Sequence, residues 1–231
     1  MKKLLIIPTF LLVLFTSCKK SKPDPVATDP FITLTSGTTW NYQTTDNATS
    51  VVTPYTLTAT SIDTTINSKT YRIFNSVDAS GTTEAYYNQT GNDYYEYTQL
   101  SAQLPKIDLK YLNDAAEVGT TWSQPISDTI LGFPVTANIK NTILAIGGTE
   151  TVNNKTYSNV IRAKTEVTDL TPAGLATIVS QNITACYAPK YGLIKRDFAL
   201  HITRVNSIPT LPPVDVINKN TTNILMSSSI Q

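Results

Sequence analysis

An all-β, antiparallel fold is the reading this sequence supports: two tandem copies of a roughly five-stranded unit forming a curved sheet or barrel-like domain. Three observations carry it. Apolar and polar residues alternate with period two along much of the chain, no long window holds a helical period, and a set of motifs occurs twice in the same order. The composition agrees. Of 231 residues 41% are hydrophobic and only 15% charged, against about 25% charged in an average soluble domain. Threonine, serine, asparagine and 12 tyrosines fill the difference, and such residues suit half-polar sheets better than charged amphipathic helices.

The first element is an address. Met1-Lys2-Lys3 is followed by an apolar run from Leu4 to Phe15 and by Thr16-Ser17 before Cys18. A charged start, an apolar run of about a dozen residues and small residues at its end make a secretory signal over residues 1–17. The run is too short for a membrane-spanning helix, which needs about 20 apolar residues. Its end resembles the lipobox of bacterial lipoproteins, with Phe15 where leucine is more usual. The resemblance implies that Cys18 is the lipidated first residue of the mature chain and a membrane anchor. Lys19, standing where aspartate would signal inner-membrane retention, implies the outer membrane, with the periplasmic or surface face open. The other reading is an ordinary signal peptide with an incidental cysteine.

Residues 18–30 then form the lipidated cysteine and a flexible tether, because Lys-Lys-Ser-Lys-Pro-Asp-Pro-Val-Ala-Thr-Asp-Pro offers no apolar period to pack. Cleavage removes Lys2 and Lys3 and turns the formal +1 of the precursor into −1. With Cys18 lipidated, Cys186 is the remaining thiol and reads as a small buried hydrophobe. A Cys18–Cys186 disulfide requires the lipobox reading to be wrong.

The body of the chain divides into a first β repeat at 31–110 and a second at 111–231. Gly37-Thr-Thr-Trp40 recurs as Gly119-Thr-Thr-Trp122, Ile66-Asn-Ser-Lys-Thr-Tyr71 as Val152-Asn-Asn-Lys-Thr-Tyr157, and Ala85-Tyr-Tyr87 as Ala185-Cys-Tyr187. Extra residues around Thr171-Pro-Ala-Gly-Leu175 lengthen the second copy. Tyr55, Leu57 and Ala59 alternate with threonines. Ala137 and Ile139 alternate with Asn138 and Lys140, and Ile161 and Ala163 with Arg162 and Lys164. Turn chemistry falls at Asn67-Ser68, Gln89 to Asn92, Gly147-Gly148, Asn153-Asn154 and Pro189 to Gly192. One wrapped sheet hides its edges best; two adjacent β-sandwiches are the alternative.

The two Gly-Thr-Thr-Trp segments and the ending Tyr187-Ala-Pro-Lys-Tyr-Gly-Leu-Ile-Lys195 resemble an uncharacterised group of Bacteroidota-type outer-membrane lipoproteins, whose units begin G-x-x-W and end Y-A-P-x-x-G-L-[IV]-K. The resemblance covers most of residues 31–200 and implies an envelope location and a β fold. It implies no activity.

Function classes separate on the residue inventory. With 18 basic and 17 acidic residues there is no surplus to neutralise phosphates, which argues against nucleic acid. One histidine, His201, two cysteines and five glutamates leave little for a metal site, a cofactor or an activated nucleophile. The ligand-binding candidates are Tyr86, Tyr94, Tyr95 and Tyr97, on a hairpin turning near Gly91, with Tyr95 and Tyr97 on one face and Tyr94 on the other. Tyrosines on such a face either grip a glycan, lipid or envelope-protein ligand or simply pair across strands. Trp40 and Trp122 read as core plugs. Glu84 and Glu96, near the tyrosines, are the only pair to consider for an extracytoplasmic hydrolase acting on glycan or peptide, whose two carboxyls must flank the scissile bond. The expectation is a non-catalytic cell-envelope lipoprotein, a ligand-binding or structural β module without cofactor.

The anchor is tested by fractionation. The wild-type chain should sediment with membranes and a Cys18→Ala chain should be released; equal release of both refutes lipidation at Cys18.

Overall fold

The structure, a computed structural model, describes residues 29–99, 106–130, 133–171, 176–204 and 212–230. The signal segment, Cys18, the tether as far as residue 28 and residues 172–175 of the second-copy insertion lie outside these. The first half supplies β1 (Thr39–Asp46), β2 (Val52–Ile66), β3 (Lys69–Asp78), β4 (Gly81–Thr90), β5 (Asp93–Thr98) and β6 (Ile107–Asn113). The second supplies β7 (Thr121–Ile130), β8 (Phe133–Val152), β9 (Lys155–Thr171), β10 (Ala176–Ala188), β11 (Gly192–Arg204) and β12 (Val214–Ser229). Each half therefore has six strands rather than about five, and β6 runs across the expected division at 110/111.

The period-two pattern is what makes these segments strands. Leu57 and Ala59 of β2 are buried while Thr56 and Thr58 are half-buried on the other face, and Ala137 and Ile139 of β8 are buried in the same way. Every strand pairs antiparallel with its neighbour in sequence within each half. The last strand then returns to the first: β12 pairs β1 from Thr39↔Ser229 to Asp46↔Thr221. One ladder thus joins the halves into a single sheet of order β6-β5-β4-β3-β2-β1-β12-β11-β10-β9-β8-β7, curled into a nearly closed barrel. Two separate sandwiches are excluded by that ladder.

The edges of the sheet, β6 and β7, meet without a backbone ladder. Side chains bridge them instead: Trp122 Nε1 donates to the Lys110 carbonyl at 2.7 Å, Asn141 Nδ2 to the same oxygen at 3.2 Å, and Gln124 Nε2 to the Asp108 carbonyl at 2.5 Å. These donors satisfy β6 carbonyls that an open edge would leave to solvent or to another chain. Leu109, between the two carbonyls, is 7% exposed and packs with Ile126 and Ile139 of β7 and β8.

The two Gly-Thr-Thr-Trp segments enter their strands alike. Gly37 and Gly119 have φ of 85° and 87°, values open to glycine. Gly37 N donates to Ala59 O at 2.9 Å and Gly119 N to Ile143 O at 2.8 Å. Tight left-handed turns at Asn67-Ser68 and Asn153-Asn154 close the long β2–β3 and β8–β9 hairpins. Gly147-Gly148 is not a turn. It lies inside β8, where successive register shifts between Ile143 and Glu150 bulge the strand, and a positive φ of 80° at Gly147 is what the bulge uses.

One end of the barrel is stoppered by the segment before β1. Lys190 N donates to Pro30 O at 2.7 Å, Phe31 N to the Tyr94 hydroxyl at 3.2 Å, and Arg72 Nη1 to Leu34 O at 2.8 Å. Phe31 and Ile32 are buried against Trp40, Tyr94 and Ile194 in one apolar cluster. A second cluster, around Ile139, Val167, Leu200 and Ile217, fills the interior beside β7–β12.

Two substitutions test this architecture. Trp122→Phe replaces the indole by a smaller ring without the seam donor, and should lower stability by at least about 1 kcal/mol, the net worth of one hydrogen bond, read from the urea midpoint. Gly192→Ala should cost about 1–3 kcal/mol, because Gly192 has φ of +69° and a Cβ there would lie 2.9 Å from the Phe31 carbonyl of the stopper.

Candidate functional site

Above the stopper, part of the interior, lined by residues of β1–β6 and β10–β12, is not filled. It holds a cavity of about 520 Å³. Its walls are aromatic because inward positions of six separate strands and turns carry tyrosine. Tyr42 and Tyr55 face each other across the β1–β2 ladder with ring centres 5.2 Å apart and planes 18° from parallel. Tyr111 and Tyr187 stack at 5.3 Å and 30°, closing the cavity where β6 approaches β10. Tyr87 packs edge-on against Phe74 at 4.9 Å. A register shift between Tyr94 and Tyr95 on the β5–β6 ladder leaves Tyr111 unpaired on β6, and this bulge turns it inward beside Leu112. On the floor lies Trp40, 2% exposed, whose Nε1 has no hydrogen-bond partner among the described residues.

Charge enters at two depths. Arg196 of β11 and Glu96 of β5 line the interior wall; Lys219 of β12 and Asp78 of β3 stand at the exposed mouth. No carboxylate of a described residue lies within 4.0 Å of the Arg196 guanidinium. Burial works against the Arg196 charge, but Glu96 and the surrounding tyrosines favour it and hold its pKa up. Burial pushes the Glu96 carboxyl up, opposed by Arg196 and by hydrogen bonds from Thr98 and Tyr87. Lys219 is pushed down, first by burial of its stem and then by Arg196. Tyr42, Tyr87 and Tyr111 are raised well above 10.0, chiefly by burial, so they remain neutral hydroxyls. Tyr42 is fixed by donating to Leu193 O at 2.8 Å, and the neighbouring Tyr55 hydroxyl accepts from Asn223 Nδ2 at 2.6 Å. This arrangement can stack, hydrogen-bond and neutralise.

The tyrosines singled out from sequence divide between two faces. Tyr94 is 0% exposed; its hydroxyl donates to Asp114 at 2.7 Å and anchors the stopper. Tyr86, Tyr95 and Tyr97 are half-buried on the outer face, where Tyr97 meets Tyr86 at 6.1 Å and Tyr71 at 6.2 Å. Lys69 Nζ sits 3.1 Å over the Tyr95 ring and 2.6 Å from Asp108, and the Tyr71 hydroxyl also donates to Asp108. Tyr86 donates to Glu84 at 2.6 Å. Cross-strand pairing therefore occupies these rings.

Glu84 and Glu96 lie on opposite faces of the sheet, Glu84 with Tyr86 outside and Glu96 within the cavity. They do not flank a common bond. His201 lies 2.7 Å from Asp215, and hydrogen bonds from His201 and then Asn218 hold the Asp215 carboxyl below its ordinary value. Cys186 is buried. Trp40 is a core residue; Trp122 is half-buried at the seam. Among the described residues no cluster of histidine, cysteine or carboxylates is grouped to hold a metal ion, and no helix is long and apolar enough to cross a membrane.

Sequence reasoning passed over Arg196 and Lys219. The signal was present: period two puts Arg196 on the face of Phe198, Leu200 and Ile202, and Lys219 on that of Ile217 and Leu225. A charge in phase with a core face marks either an error or a lined cavity.

No family model matches the sequence, and no curated protein does. Among solved structures, it is similar to a predicted exported protein with a YmcC-like fold from Bacteroides fragilis, with TM-score 0.49 and 8% identity over 87% of this chain and 99% of that one. It is also similar to a predicted lipoprotein from Parabacteroides distasonis, with TM-score 0.47 and 13% identity over 87% and 99%.

The raised Glu96 pKa has a sign that can be measured. A group whose folded-state value lies above its ordinary one stabilises most while protonated, and that stability is lost as pH rises through the folded value. As pH rises above the ordinary value of 4.5 the wild type should therefore lose stability relative to Glu96→Gln. Parallel pH profiles of the urea midpoint would refute it.

Proposed function

We propose that this chain is a non-catalytic, lipid-anchored binding protein of the bacterial cell envelope, held through Cys18, that carries its ligand in the barrel cavity. The carrying observation is the cavity itself: about 520 Å³, lined by tyrosines and holding a guanidinium without an ion-pair partner among the described residues. Ligand sites are typically concavities of about 300–1,000 Å³ with apolar or aromatic walls and a few placed polar groups. A purely structural module has no use for an unfilled interior whose lining includes Arg196 and Glu96, since buried charge costs stability unless something answers it.

The two six-stranded halves are read as copies of one unit, supported by the matched turns at Gly37 and Gly119. The anchor is read from the lipobox resemblance, and the outer membrane from Lys19. The first described residues, Asp29 and Pro30, lie at the stoppered end of the barrel, which supports reading the cavity mouth as turned away from the anchor. The outer face at Tyr86, Tyr95 and Tyr97 is read as a stabilising cross-strand cluster. A hydrolase on Glu84 and Glu96 is disfavoured by their opposite faces.

The neutral fluorescent probe N-phenyl-1-naphthylamine tests the cavity. The full chain carrying Cys18→Ala, free of detergent, should bind it and enhance its fluorescence. Ser76→Phe, which fills the cavity from the β3 wall, should weaken binding about tenfold or more, since the ring takes the volume the probe needs. Tyr95→Ala/Tyr97→Ala should leave it unchanged. The reverse pattern would place the site on the outer face and sink the cavity reading.

A further inference from the structure

The cavity's chemistry narrows what it would carry, if the reading above holds that it is the ligand site. We propose that its ligand is a small organic anion with a planar ring body, the acidic group meeting Arg196 on the inner wall and the rings lying between the tyrosine pairs.

Arg196 carries the argument. It is half-buried and projects from β11 in phase with Phe198 and Leu200 into a cavity lined by tyrosines and by polar side chains such as Thr44, Ser76 and Asn223. A guanidinium has five N–H donors in a planar fork. Here it is within 4.0 Å of no described carboxylate. Removing such a group from bulk water is costly unless donors and charge are answered, and a bidentate acid answers both at once. The resident anions do not fill the place. Glu96 faces the same interior and favours the Arg196 charge from a distance, but its carboxyl lies beyond 4.0 Å from the guanidinium. Asp78 is exposed at the mouth.

The second cation lies along the entry. Lys219 stands at the mouth with its Nζ 5.3 Å from the centre of the Phe198 ring, and no carboxylate of a described residue pairs with it. An acid entering the mouth passes one positive charge and ends at another, an arrangement that draws anions inward. The walls set the body of the ligand. Tyr42–Tyr55 and Tyr111–Tyr187 are near-parallel pairs at 5.2 Å and 5.3 Å; both pairs line the cavity, and aromatic walls suit a guest with a ring body.

Two probes of nearly equal shape decide the matter: 8-anilinonaphthalene-1-sulfonate, and N-phenyl-1-naphthylamine, which has the same rings without the acid. For the full chain carrying Cys18→Ala the sulfonate should bind at least about tenfold more tightly, the worth of one charge-assisted hydrogen bond. Arg196→Gln should abolish this preference while binding of the neutral probe persists; Arg196→Lys should retain most of it. Should Arg196→Gln not fold, Lys219→Gln at the exposed mouth decides, and there the preference should fall severalfold and lose part of its salt dependence. Equal binding of the two probes by the wild type overturns the anion inference and leaves the cavity reading standing. A preference that survives both Arg196→Gln and Lys219→Gln also overturns it. Binding of neither probe overturns both.

Discussion

A ring of twelve strands encloses more volume than side chains on its inner face can fill. About eight strands is the size at which a barrel's own side chains suffice, and every larger barrel must be plugged, flattened or left hollow. This chain does some of each. The stopper at residues 29–36 closes one end, the aliphatic side chains beside β7–β12 meet across part of the interior, and another part stays open. The positions of Tyr42, Tyr87, Tyr111 and Tyr187 follow from that remainder. A wall facing a wet cavity needs side chains that are apolar along their length and hydrogen-bonding at the tip, and tyrosine is that residue.

What the sequence disclosed and what it hid divide along the same line. Alternation in β2, β8 and β9, the paired Asn turns and the repeated Gly-Thr-Thr-Trp are local, and each was legible because one short segment contains the whole signal. The cavity is not local. Tyr42, Tyr111 and the hairpin that carries Tyr187 and Arg196 are far apart in the chain, and the β1–β12 ladder brings them round one space. The cluster of Tyr86, Tyr94, Tyr95 and Tyr97 drew attention because its members are adjacent in sequence. Adjacency on a strand sends neighbours to opposite faces, and Tyr94 accordingly went to the core while the others paired outside. Gly147-Gly148 misled for a related reason: a glycine pair serves a bulge within a long strand as well as a turn between two.

Charge placement follows the same logic. Lys69, Asp108, Glu84 and Lys106 meet tyrosines on the outer face, where water screens them and each interaction contributes little singly. Arg196 and Glu96 sit where screening is weak, and there the identity of each group matters more than the number of groups. This contrast separates residues that decorate the barrel from residues that specify its interior.

The two junctions between the halves are unequal. Where β1 meets β12 the join is a ladder running the length of β1; where β6 meets β7 it is three donors from Trp122, Gln124 and Asn141. A ladder parts cooperatively, since one bond cannot lengthen without straining its neighbours, whereas side-chain donors on rotatable bonds yield one at a time. Mechanically the barrel is a split collar and not a hoop. Its girth is set at the slit between β6 and β7, where a change of breadth would leave every strand-to-strand ladder intact.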